Sequence, residues 1–283
     1  MSLRTSSSYP KTKTGWPWRL GTSSYILPDD ILPNVRYLAD KVDDVELVLF
    51  ESKEAGNLPT KAVVRELREL ASAHGLTYTV HFPLDVYPGA ADAAERSRTL
   101  ETYKKIIGLT EGLSPFGYVL HLTPDMYGER PSADIPRWLD NLDRSLEVLL
   151  RTGLVESHML CAETLSYPFE LVLPLVERYD LAVTLDIGHV WLMGHDAAAN
   201  CASLLGRARI CHLHGVSGLA AEGGRDHQGL SATEPVKVES FLRALATRIR
   251  ADRTHRVLTL EVFSQEHLEN SLQVLEESRA IVL

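Results

Sequence analysis

VTLDIGH, residues 183–189, is a β-branched and apolar run that closes on Asp186, with His189 three positions further on. The design recurs along the chain. YTVHF (78–82) carries His81, YVLHL (118–122) His121, and LCAETL (160–165) Glu163. RICHLH (209–214) carries His212 and His214, and LTLEVF (258–263) carries Glu261. Side chains that close separate parallel strands converge on one face of a barrel. Carboxylates and imidazoles gathered there read first as a metal site.

Outward from that stretch, strand-like and helix-like segments alternate from Leu20 to the end. Strands are predicted near 19–26, 44–51, 76–82, 116–122, 158–165, 181–187, 207–214 and 256–263. Several are continuously apolar, as buried parallel strands are. KAVVRELRELASAHG (61–75) is the clearest helical pattern: its apolar positions recur at three and four residues, and Gly75 stops it. RWLDNLDRSLEVLLRTG (137–153) repeats the design, and SFLRALATRIRADR (240–253) and HLENSLQVLEESRAIVL (267–283) supply the last two. Eight strand–helix units predict a single (β/α)₈ TIM barrel over residues 19–283. An open doubly wound sheet fits less well, because it would gather its site at one switch point rather than over six strands.

Residues 1–18, MSLRTSSSYPKTKTGWPW, lack an apolar signal core and read as a disordered tail. Two connections are long: LTPDMYGERPSADIP (122–136) and the Gly-rich GVSGLAAEGGRDHQGLSATEP (215–235). Long loops on a barrel's catalytic face serve as lids or substrate clamps.

The bulk numbers bound the partners. A hydrophobic fraction of 45% in 283 residues suffices for a full core. With 38 acidic and 29 basic residues the formal charge is −9, and no basic run exists to neutralise duplex phosphates. Small anionic ligands stay open, because bound cations reverse the local sign. Cys161, Cys201 and Cys211 are odd in number and lack CxxC spacing, so no disulfide framework is expected. No apolar stretch reaches transmembrane length. A cytoplasmic protein with a small-molecule substrate is the default expectation.

Alternation along a strand sorts the side chains. Thr259, Glu261 and Phe263 share one face, and Leu258, Leu260 and Val262 the other. The apolar set should meet the helices, which puts Glu261 in the barrel mouth. The same logic pairs Cys161 with Glu163, Thr184 with Asp186, and His212 with His214. Buried carboxylates are costly unless paired or bound to a cation. Glu163, Asp186 and Glu261 around one to three metal ions meet that condition, and nitrogen and oxygen donors fit Zn, Mn or Fe. Singly, each residue has a structural explanation: Asp186 can cap the next helix, and a strand-end histidine can be a hydrogen-bonded core group. The joint pattern is harder to dismiss. Glu51, closing VELVLFES (45–52), is a pocket candidate or else a solvated strand end. His214 is a candidate substrate contact or metal ligand. Tyr25, Phe50, Phe82 and Tyr127 can pack a flat ring at the mouth or belong to the core. His74, His158, His195, His255 and His267 read as solvated.

The order His, His, Glu, Asp-x-x-His, His, Asp/His, Glu resembles the xylose-isomerase-like, or apurinic endonuclease family 2, barrels. In the endonuclease IV branch these positions bind three zinc ions. That resemblance implies a first metal on His81, His121 and Glu163, with Glu163 bridging to a second on Asp186, His212 and Glu261. His189, Asp226 and His227 would hold a third. That branch has Asp-x-His, whereas Asp226 and His227 are adjacent; adjacent side chains diverge in an extended backbone, which counts against the third metal. In the sugar isomerase and epimerase branch, one metal sits on Glu163, Asp186, His212 and Glu261, and the two glutamates move protons at carbon. His189 would then bind a sugar hydroxyl, and Arg225 would clamp the substrate.

The segments LGTSSYILPDDILPNVRYLADKVDDVELVLFES (20–52), YTVHFPLD, LDIGH, HLHGV, DHQGL and TLEVFS are similar to the cobamide-remodelling phosphodiesterases (CbiR) of the same superfamily. The opening segment is the most specific of these. The resemblance implies hydrolysis of the nucleotide-loop phosphoester of a corrinoid, releasing α-ribazole, with Glu163 or Glu261 orienting the nucleophile. The donors beyond the four that a mononuclear isomerase needs favour this reading. A mononuclear sugar isomerase or epimerase is the alternative. A catalytically dead binding barrel is disfavoured by the intact donor set.

Overall fold

The computed structural model describes residues 9–51, 56–125 and 133–283. Its strands are β1 (Arg19–Ser23), β2 (Asp44–Val48), β3 (Thr77–His81), β4 (Tyr118–Leu120), β5 (Leu160–Glu163), β6 (Ala182–Asp186), β7 (Ala208–Leu213), β8 (Gly215–Ser217), β9 (Arg225–Gln228) and β10 (Val257–Leu260). Eight of them close a parallel barrel in the order β1-β10-β7-β6-β5-β4-β3-β2. These are the eight predicted strands, each shorter than its apolar run. The helices are α1 (Ile31–Leu38), α2 (Lys61–His74), α3 (Ala93–Thr110), α4 (Ile135–Arg151), α5 (Leu173–Arg178), α6 (Ile187–Leu192), α7 (Ala197–Leu204), α8 (Pro235–Asp252) and α9 (Gln265–Val282). Gly75 ends α2 in the left-handed conformation, as its position predicts. Among the described residues no helix is long and apolar enough to cross a membrane.

Alternation divides the barrel strands between two cores. Leu258, Leu260, Val262, Cys211 and Leu213 belong to the large core that includes Leu242, Leu245 and Leu275 of α8 and α9. The opposite set, Val119, Cys161, Ala182, Ile210 and Val257, forms a separate apolar floor with Phe116. Above it along the strands come Thr79, Thr184 and Thr259, all fully buried. The donors follow, at or just past the strand ends. β6 and β10 thus climb from apolar to hydroxyl to ligand over a short span, through Ala182, Thr184 and Asp186 and through Val257, Thr259 and Glu261. The three cysteines are buried and free, and burial pushes the Cys161 and Cys211 thiols up to about 12.

Two expectations change. The tail read as disordered over 1–18 is packed from Tyr9 onward. Trp16 and Trp18 stack with centroids 5.0 Å apart and are buried, and Thr14 Oγ1 donates to Asp43 Oδ2 at 2.6 Å. Two indoles bring enough apolar area to outweigh the polar composition around them. Residues 1–8 lie outside the described residues, as do residues 126–132 of the loop after β4, Tyr127 among them. The Gly-rich connection after β7 is also more than a loop: β8 and β9 pair in it as an antiparallel hairpin.

Candidate metal centre

The strand ends bring acidic and imidazole side chains into contact. Glu163, closing β5, is the centre. Its Oε2 faces His121 Nε2 at 2.7 Å and His81 Nε2 at 3.4 Å. Its Oε1 faces His212 Nδ1 at 3.0 Å. The same Nδ1 lies 3.2 Å from Glu261 Oε2 and 3.8 Å from Asp186 Oδ2. Two donor groups therefore share one carboxylate: His81, His121 and Glu163, and Glu163, Asp186, His212 and Glu261. All four of the second group are buried.

Asp186 does double duty. One oxygen, Oδ1, accepts from the His189 amide at 2.8 Å and caps α6, as its position allows. The other, Oδ2, is buried and has no hydrogen-bond partner, and the same holds for Glu261 Oε2. Orphaned carboxylate oxygens aimed into one cluster are the expected signature of a cation site. The donor set, carboxylates and imidazoles without thiolates, fits a borderline or hard divalent ion.

The third group departs from expectation in an informative way. Asp226 and His227 are adjacent, yet His227 Nε2 lies 3.8 Å from Asp226 Oδ2, and Asp226 Oδ2 lies 4.0 Å from His189 Nε2. The reason is backbone: His227 has φ 49°, a left-handed conformation that turns the chain and undoes the divergence of neighbours. Three contacts hold this turn. His227 N donates to His214 Nδ1 at 3.0 Å, His227 Nδ1 meets the Glu261 carbonyl at 3.0 Å, and His267 Nδ1 meets the His227 carbonyl at 3.1 Å. His267 is thus a brace on the hairpin rather than a solvated side chain. His189, His214 and His227 place donor atoms close enough to hold an ion. Yet His214 Nδ1 already accepts a backbone N–H, so its proton sits on Nε2, 3.3 Å from Asp186 Oδ1. That leaves it no lone pair for a metal. His189, His227 and Asp226 are the donors this corner can offer.

The remaining candidates separate. His214 is fully buried, with Nε2 3.3 Å from Asp186 Oδ1 and Nδ1 accepting from the His227 amide in the β8–β9 turn. Glu51 pairs with Lys105 and bridges to Gly56. Arg225 is exposed on β9. Phe82 is core, Phe50 is half-buried against Tyr25, and Tyr25 is 44% exposed. One residue escaped the sequence reading. Glu46 of β2 is fully buried, and its Oε2 lies 3.0 Å from His212 Nε2. The signal was present: Glu46 alternates with Val45 and Leu47, as Glu261 does with Leu260 and Val262.

The electrostatics are those of a proton-filled cation site. Burial penalises charge on Glu163, yet His212 and His121 hold its carboxyl well below the usual range. Burial likewise opposes Glu261, where His212 and His227 prevail, and Asp186, where His189 and His214 prevail. Burial lowers the His81 and His212 imidazoles, but the carboxylates overcome it. Glu163 foremost pushes His81 up to about 9, and Glu46, Glu261 and Glu163 hold His212 well above its ordinary value. A cation can replace those protons.

A closed parallel barrel with this donor cluster at its strand ends defines the class. The chain belongs to the xylose isomerase-like TIM barrel family, which it matches over residues 38–281. Solved structures of similar fold include a D-tagatose 3-epimerase-like protein, at TM-score 0.73 and 20% identity over 93% of this chain and 98% of that one. Endonuclease IV from Thermus thermophilus is similar at TM-score 0.67 and 20% identity, covering 93% and 98%. So is a 3-keto-D-glucoside 4-epimerase from E. coli, at 0.66 and 17%, covering 93% and 99%. No curated protein matches the sequence.

Proposed function

We propose that the protein is a metal-dependent phosphodiesterase that hydrolyses the nucleotide-loop phosphoester of cobamides and releases α-ribazole. The observation that carries the reading is the sharing of Glu163 between two donor groups. A carboxylate with one oxygen in each group is built to bridge two ions, and paired ions suit in-line displacement at phosphorus. Divalent ions held there supply Lewis acidity toward phosphoryl oxygens and lower the pKa of water beside them.

The chain's own residues do the rest. Glu163 or Glu261 would hold and orient the attacking water, and the carboxylate that orients it would accept its proton. His81 and His121 fix Glu163 from the β3–β4 side, and His212 from the β7 side. The acidic chain tolerates an anionic substrate because its charge would be met by the cluster rather than by lysine. The rim supports a substrate with a large apolar face. Tyr25, Leu84, Leu219 and Phe263 are exposed, on segments that follow β1, β3, β8 and β10. Phe263 lies 5.0 Å from the His227 ring, beside the donors.

A second reading has its own support. Glu163, Asp186, His212 and Glu261 alone form a four-donor group. One ion there, flanked by two glutamates, suits proton transfer at a sugar carbon, and epimerases are among the similar folds. Incubation with adenosylcobalamin and zinc, manganese or iron separates the two. α-Ribazole detected by chromatography, and lost with chelator, supports the phosphodiesterase. No release with any metal, together with epimerisation of a ketose, moves the function to the isomerase branch.

A further inference from the structure

Glu46 belongs to none of the three donor groups, yet it is the fully buried carboxylate behind the one imidazole that meets three carboxylates. It reaches His212 from β2, which lies across the barrel and does not pair with β7. Its Oε2 is 3.0 Å from His212 Nε2, and its Oε1 has no hydrogen-bond partner. A buried carboxylate left half-satisfied is costly unless it does something for its neighbour. The side chain of His212 is 0% exposed, so nothing but protein fixes its ring.

A neutral imidazole has one N–H and one lone pair, and the hydrogen bond made by one nitrogen decides what the other offers. A carboxylate only accepts. With a cation among Glu163, Glu261 and Asp186 the ring is neutral, and Glu46, on the side away from that cation, keeps its one proton on Nε2. The lone pair is then on Nδ1, which faces Glu163 at 3.0 Å, Glu261 at 3.2 Å and Asp186 at 3.8 Å. We propose that Glu46 is the positioning residue of the metal centre: it sets the His212 tautomer and ring orientation that make Nδ1 a ligand. The inference rests on the metal reading alone and holds for either enzymatic class.

The test is zinc affinity by competition with a chromophoric chelator, with thermal melts of the zinc-free proteins alongside. Glu46→Leu removes the acceptor and is expected to weaken zinc by about 10- to 100-fold, the usual loss for such a partner. Glu46→Gln keeps an amide oxygen for the Nε2 proton and is expected to stay within about threefold of wild type, well short of that loss. A packing role would move the zinc-free melts and leave the affinity of the folded protein alone. If Glu46→Leu does not fold, Glu46→Asp withdraws the acceptor by one methylene and should lose affinity in the same direction. Wild-type affinity in Glu46→Leu or Glu46→Asp, or equal losses in Gln and Leu, overturns the proposal while the metal centre stands. Wild-type protein that binds no zinc overturns both.

Discussion

Glu163 is where the two halves of the site meet, so its removal should be felt on both sides. Glu163→Ala is expected to abolish turnover, by more than about a hundredfold, and to lower bound metal at both adjoining groups in elemental analysis. His189→Ala should cost at most the ion at its own corner. A fully metallated Glu163→Ala would contradict the bridging role. Gly188 tests the support beneath Asp186. A Cβ there would lie 2.2 Å from the buried His214 ring, so Gly188→Ala should destabilise the fold by about 1–3 kcal/mol in a urea titration. At this scale the sequence was readable wherever a polar residue broke an apolar run at its end. Glu46 was missed because it breaks its run in the middle, whereas Glu51 stands at the close of VELVLFES. The depth of His214 was not legible, because alternation gives a residue's face and not how deep it lies.

The elements tell the same lesson with backbone in place of side chains. Strand and helix positions follow from periodicity, and Gly75 marks a helix end because only its left-handed φ of 63° closes the turn cheaply. The β8–β9 hairpin was illegible because its strands are only three and four residues long and β9, RDHQ, is wholly polar. The meeting of Asp226 and His227 was illegible because it depends on one residue at positive φ, a conformation that residues other than glycine adopt infrequently. The N-terminal segment was misread on composition, although Trp16 and Trp18 are the exception within it. Trp18 is 1% exposed, so Trp18→Ala should cost about 3–5 kcal/mol of stability by chemical denaturation. A loss below about 1 kcal/mol would return residues 9–18 to the status of a tail.

For the whole molecule, the buried charges make stability and metal binding functions of pH. The His81 imidazole sits at about 9 against an ordinary 6.5. Its contribution is therefore full below about 6.5 and is lost as pH rises toward 9. The depressed carboxyls of Glu163, Asp186 and Glu261 work at the other end. Their contribution is present above the ordinary carboxylate range and lost as pH falls below it. Metal-free protein should melt highest at mildly acidic pH and lower toward about pH 9, whereas zinc affinity should rise over the same interval as protons leave the imidazoles. Melts with and without chelator check both slopes, and a metal-free protein that gains stability from about pH 6.5 to 9 would contradict them.

The bridging role of Glu163 and the phosphodiesterase reading depend on a centre with more than one ion. Anomalous diffraction at the zinc edge from zinc-loaded crystals measures that directly. The account predicts peaks on both sides of Glu163, roughly 3.5–4 Å apart, as in two-metal phosphoester sites. A single peak among Glu163, Asp186, His212 and Glu261, with His81 and His121 free of metal, would contradict it and leave the mononuclear isomerase chemistry in its place.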